Sequence, residues 1–245
     1  MREDRMTYPE WLRAEPSGIL GSLLGVLFPA RCVSCGRAGH WFCSACTASI
    51  PGAGRLVVLS RLRAQSNALC GVLSLSSHVP PLREAVHGLK YGGMRVLADP
   101  LARLLAAGWQ AWGRAVDVIV PVPLHPVQRR QRGYNQSELI SRALADYTGL
   151  PVQLSALERI RHTRSQVGLP MESRLTNVTG AFACGSATVR GHRILLIDDV
   201  LTTGATLSAC ASALHEAGAG EIWGLTLTYA PDPGVAQDKG NVDSP

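Results

Sequence analysis

The sequence predicts an α/β fold, in which a parallel sheet is flanked by helices, with a small cysteine-rich module ahead of it. Short apolar runs typical of strands buried on both faces recur along the chain, and segments with helical spacing of apolar residues separate them. Four of the seven cysteines lie close together near the amino terminus and predict the module. With 245 residues and 46% hydrophobic content, the chain is long enough for one sizeable core and a small appendage.

The region ahead of the cysteines is first charged and then apolar. We expect residues 1–16 to be disordered. Apolar residues at helical spacing within 17–28 predict a helix that docks on the domain or on a second copy of the chain, with membrane attachment as the alternative. No apolar run reaches the roughly 18 residues that a membrane span needs, and no signal-peptide pattern is present. Because clustered cysteines favour metal binding in a reducing compartment, we expect a cytoplasmic protein.

Two Cys-x-x-Cys pairs predict one tetrahedral site of four thiolates, so that residues 17–52 would comprise the apolar helix and a zinc ribbon. We expect the zinc to be structural, because four protein ligands leave no open coordination position; a redox dithiol is the alternative. Trp41 and Phe42 either cover the site or stack on the bases of a single strand. The predicted zinc ligands are Cys32, Cys35, Cys43 and Cys46.

The remaining chain divides into three segments. Residues 53–68 are rich in glycine, arginine and serine and are predicted to be a linker. Residues 69–230 form the predicted α/β domain, and 231–245 a disordered tail. The elements predicted in the domain are strands at 69–75, 116–120, 194–197 and 222–229 and helices at 82–89, 94–109, 135–147 and 204–217.

The most informative stretch begins with the apolar strand 194–197, which ends in Asp198 and Asp199. A turn of small residues follows and opens a helix, where free backbone N–H groups and the helix dipole favour a phosphate. The two carboxylates lie where ligands bind in α/β sheets and suit sugar hydroxyls or a metal ion. A purely structural strand–helix turn is the alternative. The predicted phosphate-binding residues are Thr202, Thr203, Gly204, Ala205 and Thr206.

Arginine dominates the basic residues of this chain. Net charge is +6, and of the 24 basic residues only Lys90 and Lys239 are lysine. Arginine binds oxyanions bidentately, and such a charge also permits a nucleic-acid partner. Three arginines in the predicted loop after strand 116–120 are candidates to neutralise a highly charged leaving group, unless that loop only faces solvent. They are Arg129, Arg130 and Arg132.

Two motifs carry a family resemblance. The run I-L-L-I-D-D-V-L-T-T-G-A-T at 194–206 resembles the signature of type I phosphoribosyltransferases. The pattern P-V-P-L-x(4)-R-x(2)-R-G-Y-N-Q at 121–136, with the cysteine pairs upstream, is similar to the ComF (GntX-like) family, over roughly residues 20–230. Many members carry a second cysteine pair in the region where this chain has only Cys70.

The resemblance implies a type I phosphoribosyltransferase fold and a ligand, phosphoribosyl pyrophosphate (PRPP). The turn 202–206 would bind its 5′-phosphate, and Asp198 and Asp199 its ribose hydroxyls. Transfer to an unidentified acceptor would release pyrophosphate, aided by Mg²⁺ and by Arg129, Arg130 and Arg132. Lys90 would either lie near the pyrophosphate or simply face solvent.

The resemblance also leaves two alternatives to a catalytic transferase. One is a non-catalytic PRPP-binding protein that serves DNA uptake, and the other is a purely structural zinc-ribbon adaptor. The implied partners are single-stranded DNA, a competence helicase and a second copy of the chain. Residues 159–177 are arginine-rich and lie where the resemblance implies a mobile loop that closes over PRPP and excludes water, unless they form a plain surface loop.

Overall fold

A computed structural model gives the structure of the chain. The predicted disordered ends, the apolar helix before residue 30 and most of the predicted closing loop lie outside the residues that it describes. The described residues are 30–51, 57–59 (backbone only), 68–161, 178 and 180–230.

The centre of the fold is a five-stranded sheet. Its order is β1-β2-β7-β6-β3, and all neighbouring strands are parallel except β1, which runs antiparallel to β2. A separate antiparallel pair, β4 with β5, lies outside this sheet. The strands are β1 Val57–Leu59, β2 Gly71–Ser77, β3 Val118–Pro121, β4 Glu158–Arg159, β5 Phe182–Ala183, β6 Ile194–Leu201 and β7 Ile222–Tyr229.

The sheet corrects one prediction. Strand β1 falls inside 53–68, the segment predicted to be a linker, and its three residues pair with β2 from Val72 to Ser74. The glycine, arginine and serine residues of this segment led to its interpretation as a linker, although it contains the short apolar run 57–59. The main sheet thus begins before residue 69.

Six α-helices are present among the described residues. They are α1 Ser44–Ala48, α2 Leu82–Tyr91, α3 Ala98–Trp112, α4 Pro126–Arg132, α5 Gln136–Thr148 and α6 Ala205–Glu216. A 3₁₀ turn, Arg95–Leu97, precedes α3.

Helix α4 corrects a second prediction, because the three-arginine segment was expected to be a loop. Pro126 has a backbone suited to a first helical turn, and the Val127 N–H donates to His125 Nδ1. Gly133, with φ of 81°, ends the helix in the left-handed conformation that glycine adopts without strain. The arginines therefore project from a helix.

Apolar layers cover both faces of the sheet. In β6, Leu195 and Ile197 belong to the core that includes α2, α3 and α5, whereas Ile194 and Leu196 belong to the core beneath α6. Alternate residues of a strand point to opposite faces, so β6 is buried on both, as its apolar run predicted.

The cysteine module packs directly on the α2 side of the domain. Phe42, 6% exposed, shares the core cluster of Leu89, which favours covering over base stacking for this ring. A Cβ on Gly88 would lie 3.1 Å from Val33 Cγ2, so glycine allows α2 and the module to approach closely. None of the helices in the described part of the chain has the length and apolar character of a membrane span.

Candidate functional site

A cavity of about 440 Å³ opens at the carboxyl ends of the parallel strands. The ends of β3 and β6 form its floor, and residues of α2, α4, α5 and α6 form its walls. This is the place where ligands bind in α/β sheets. Both predicted acids, Asp198 and Asp199, line it together with most of the predicted phosphate turn.

The two acids differ in their partners. Asp198 Oδ1 accepts hydrogen bonds from the Ser137 hydroxyl (3.2 Å) and from the Asp199 backbone N–H (2.9 Å). Burial, and then repulsion by Asp199, raise the pKa of Asp198 to about 7 against the partial relief given by Lys90, Asp199 N–H and Ser137. Asp198 is thus poised between its charged and neutral forms near neutral pH.

Asp199 is only 3% exposed and is held by a lysine. Lys90 Nζ lies 3.0 Å from Asp199 Oδ2 and 3.2 Å from Oδ1. Burial lowers the pKa of Lys90, but the attraction of Asp199, Tyr91 and Asp198 outweighs it, so the net pKa shift is upward and the lysine stays charged. From the sequence, Lys90 could either face solvent or lie near the ligand. The structure places it in the cavity wall as the counter-charge of Asp199.

This ion pair gives a prediction about stability. Lys90→Met would leave Asp199 buried beside Asp198 without its cation, so we expect the free energy of unfolding at pH 7 to fall by about 3 kcal/mol. Chemical denaturation measures it. Arg83→Met on the same helix is the matched control, because its pair with Glu84 is exposed and worth little. Equal stability of Lys90→Met and wild type would contradict a structural role for the pair.

The turn between β6 and α6 has the geometry of an anion site. Gly204 precedes the first turn of α6 with φ of 80°, and the Ala205 N–H faces Thr203 Oγ1 at 3.4 Å. Thr202, Gly204, Ala205 and Thr206 line the cavity, whereas Thr203 is buried and does not. The helix thus directs its positive end toward the cavity.

Only one of the three predicted arginines lines the cavity. Arg132 lies there, donates to Gln136 Oε1 and has its guanidinium 5.5 Å from the Tyr91 ring centre. Arg129 instead pairs with Glu138 at 3.0 Å, and Arg130 is exposed; neither lines the cavity. Helical periodicity separates Arg130 from Arg132, because residues two apart on a helix face different directions. Arg129 is on the same face as Arg132 but is held by Glu138.

Several cavity residues were not predicted. A histidine after a strand or a serine at the start of a helix carries no functional signal in a single sequence. Those with polar or aromatic side chains are His78, His87, Tyr91, Gln128, Gln136, Ser137 and Arg159.

The four predicted cysteine ligands come together in a second site. Their Sγ atoms all lie within 4.8 Å of one another, with 3.7 Å between Cys32 and Cys46 and 3.6 Å between Cys35 and Cys43. A disulfide would need about 2.05 Å. A tetrahedron of thiolates around zinc, with bonds of about 2.3 Å, places its sulfurs about 3.8 Å apart, so the cluster fits such an ion.

The negative charge of the cysteine thiolates in this cluster also favours a bound metal cation. Burial raises the pKa of Cys32, but backbone hydrogen bonds from Cys35, Cys43 and Ser34 outweigh it and lower that pKa to about 6. Burial and the neighbouring sulfurs raise the pKa of Cys46 to about 12. A bound metal would supply the positive charge that keeps all four thiolates ionised.

The parallel sheet, the acidic pair and the small-residue turn define a domain of the type I phosphoribosyltransferase fold. A family model described as a phosphoribosyl transferase domain matches residues 83–244. Competence protein F of Haemophilus influenzae is 32% identical over 160 residues, 62% of this chain and 70% of that protein. The DNA utilization protein YhgH of Salmonella typhimurium is 32% identical over 209 residues, 77% of this chain and 92% of that protein. The chain belongs to the ComF-like family of phosphoribosyltransferase-domain proteins.

Among solved structures, the chain is similar to the glutamine phosphoribosylpyrophosphate amidotransferase of B. subtilis. The TM-score is 0.41 and the identity 22%, over 58% of this chain and 30% of that one. The chain therefore spans less than a third of that structure.

Proposed function

We propose that this chain binds Mg–PRPP in the cavity and transfers its phosphoribosyl group to a nitrogen acceptor, with release of pyrophosphate. One observation carries the proposal: the acidic pair and the amino end of α6 line the same cavity. Carboxylates that accept hydrogen bonds from a ribose thereby lie beside N–H groups that bind a phosphate.

The cavity suggests how PRPP would lie. Its 5′-phosphate would bind at 202–206, and its ribose hydroxyls would donate to Asp198 and Asp199. Arg132 is the arginine placed to contact the pyrophosphate. Arg129 and Arg130, on the same helix, would join it only after a rearrangement, in which Arg129 leaves Glu138.

The chemistry asks mainly for positioning and electrostatics. As the bond from C1 to pyrophosphate breaks, positive charge builds on the ribose, and the nearby carboxylates stabilise it. Lys90 pairs with Asp199 at 3.0 Å and holds this carboxylate in place at the cavity wall, where it would accept a ribose hydroxyl.

Magnesium fits the donor set, because Mg²⁺ prefers oxygen ligands and is usually held by one or two carboxylates plus substrate phosphates. The acidic pair would hold it together with PRPP oxygens. When bound, Mg²⁺ would neutralise the charge of the leaving pyrophosphate. For the cysteine cluster, the sulfur spacing supports a structural zinc ion as the resident metal.

A second candidate function is DNA handling without catalysis, in which PRPP would act as a regulator. The names of the relatives, a competence protein and DNA utilization proteins, favour it. Single-stranded DNA, a competence helicase and a second copy of this chain are its proposed partners.

One pair of assays tests the two candidates. Pyrophosphate release from Mg–PRPP would be measured with a panel of heterocycles and amines, and single-stranded DNA binding at several salt concentrations. Acceptor-dependent release supports transfer. Salt-dependent DNA binding with no release from any acceptor would favour the second candidate.

The pKa of Asp198 gives a pH prediction. Ribose hydroxyls donate more strongly to a carboxylate than to a neutral carboxyl, and a carboxyl with a pKa of about 7 is mostly protonated at pH 6 and mostly ionised at pH 8. We therefore expect Mg–PRPP to bind about tenfold more weakly at pH 6 than at pH 8. Titration calorimetry measures the affinity. Asp198→Asn should lose this step while retaining the part due to the ligand's own phosphates; an unchanged pH dependence in the variant would contradict the assignment.

A further inference from the structure

The two acids of the cavity are held in different ways. Asp199 is paired with a cation, Lys90, which reaches it from α2. Asp198 accepts hydrogen bonds from two neutral donors, the Ser137 hydroxyl at 3.2 Å and the Asp199 backbone N–H at 2.9 Å. Both donors reach the same oxygen, Oδ1, and no hydrogen bond from the described residues reaches Oδ2. The second oxygen of Asp198 is therefore the one left to a ligand.

Ser137 is fixed in place by the start of α5. It is the second residue of that helix, is fully buried and lines the cavity. Its backbone N–H donates to Asn135 Oδ1 at 3.1 Å, which is the N-cap contact of α5. The Asn135 side-chain amide donates to the Val122 carbonyl at 3.0 Å, and the Val122 N–H donates to the Ile197 carbonyl at 2.9 Å. These hydrogen bonds tie the start of α5 to β6 one residue before Asp198.

A neutral donor suits the work that Asp198 would do. A cation in contact would orient a carboxylate but would also neutralise its charge, whereas a hydroxyl orients it and leaves the net charge in place. Because Ser137 belongs to the first turn of α5, the carboxylate lies at the positive end of a 13-residue helix, where the dipole favours negative charge. Ser137 thus holds Asp198 while its charge stays available to a ligand.

A second serine of α5 makes no such contact. Ser141 lies one helical turn after Ser137 and is as fully buried. Its hydroxyl has no hydrogen-bond partner among the described residues, and it does not line the cavity. The two serines therefore differ in what their hydroxyls contact, while residue type, burial and helix are the same. Ser141 separates the contact with Asp198 from the mere presence of a buried hydroxyl in α5.

We propose that Ser137 is a positioning residue of the PRPP site, whose hydroxyl holds Oδ1 of Asp198 so that Oδ2 is presented to the ribose in one orientation. The inference rests on the proposed binding of Mg–PRPP in this cavity. Without the hydroxyl, the carboxylate keeps only the Asp199 N–H and gains freedom to rotate. Ligand binding would then have to remove that freedom, at a cost in affinity. The affinity for PRPP therefore depends on Ser137 through Asp198.

The test measures Mg–PRPP affinity by titration calorimetry at pH 8 with the full chain and its variants. Ser137→Ala removes the hydroxyl, Ser137→Thr keeps it, and Ser141→Ala is the matched control. Asp198→Ala, alone and combined with Ser137→Ala, completes a double-mutant cycle, which isolates the coupling between the two side chains. Chemical denaturation of each variant shows that it is folded.

We expect Ser137→Ala to bind Mg–PRPP about tenfold more weakly than wild type, the lower end of what a hydrogen bond to a charged group contributes. Ser141→Ala and Ser137→Thr should bind within about threefold of wild type, because both keep the hydroxyl on Asp198. In the Asp198→Ala background, Ser137→Ala should change the affinity by less than about twofold, since the hydroxyl then has no carboxylate to hold.

Several results would overturn the proposal while leaving PRPP binding by wild type intact. One is an affinity of Ser137→Ala within about twofold of wild type, and another is an equal loss in Ser141→Ala. A Ser137→Thr variant that is as stable as wild type but binds as weakly as Ser137→Ala is a third. The last is an undiminished loss in the Asp198→Ala background, which would mean that Ser137 acts independently of Asp198. If wild type fails to bind Mg–PRPP at all, the proposed function itself is wrong and the positioning role falls with it.

Discussion

Replacing Asp198 and Asp199 together by asparagine is expected to weaken Mg–PRPP binding by at least about 100-fold. A hydrogen bond to a charged group contributes about 1.5–3 kcal/mol, and the double change removes that charge from both ribose contacts. Asparagine keeps the shape of the side chains, so the cavity should persist. Titration calorimetry at pH 8 measures the effect.

A control variant separates this loss from a general effect of charge. Asp117→Asn removes a half-buried carboxylate that pairs with Arg193 outside the acid-lined cavity, and it should leave the affinity unchanged. Removing negative charge from the cavity would by itself strengthen the binding of a polyanion. Unchanged or tighter binding in the double variant would therefore show that the acids do not hold the ribose.

The second large effect is expected at the cysteine cluster. Wild type should carry about one zinc ion per chain, and Cys32→Ser with Cys46→Ser should carry essentially none. Binding energy at a structural zinc site is folding energy, and this cluster packs into the core that contains Leu89 of α2. We expect the double variant to lose several kcal/mol of unfolding free energy.

Elemental analysis and denaturation measure the two parts of this prediction. Cys184→Ser is the matched control, because Cys184 is only partly buried and lies outside the cluster. It should keep its zinc. Purified wild type with essentially no zinc, or a double variant as stable as wild type, would contradict a structural metal site.

The sequence indicated those parts of the two sites whose residues lie close together in the chain. Strand β6, its acids and the turn into α6 are contiguous, so local patterns of hydrophobicity and small residues predicted them together. The cysteine pairs are equally local. The pairing of Lys90 with Asp199 spans 109 positions in the chain and depends on how α2 packs, which no local pattern specifies.

The arginines illustrate a second limit. Their composition indicated an anion site, but which of them reaches it depends on whether residues 126–132 are helix or loop. Pro126 and Gly133 carried that information as a helix start and stop, and the charge pattern obscured it. In the same way, the place of His78 in the cavity wall depends on the pairing of β2 with β7, which no local pattern specifies.

Calorimetry of Mg–PRPP binding to the wild-type chain at pH 8 tests the central claim most directly. We predict one molecule bound per chain, in a manner that requires Mg²⁺ and is lost in Asp198→Asn with Asp199→Asn. No measurable binding by a chain that is folded and loaded with zinc, or binding that the double variant retains in full, would contradict the claim.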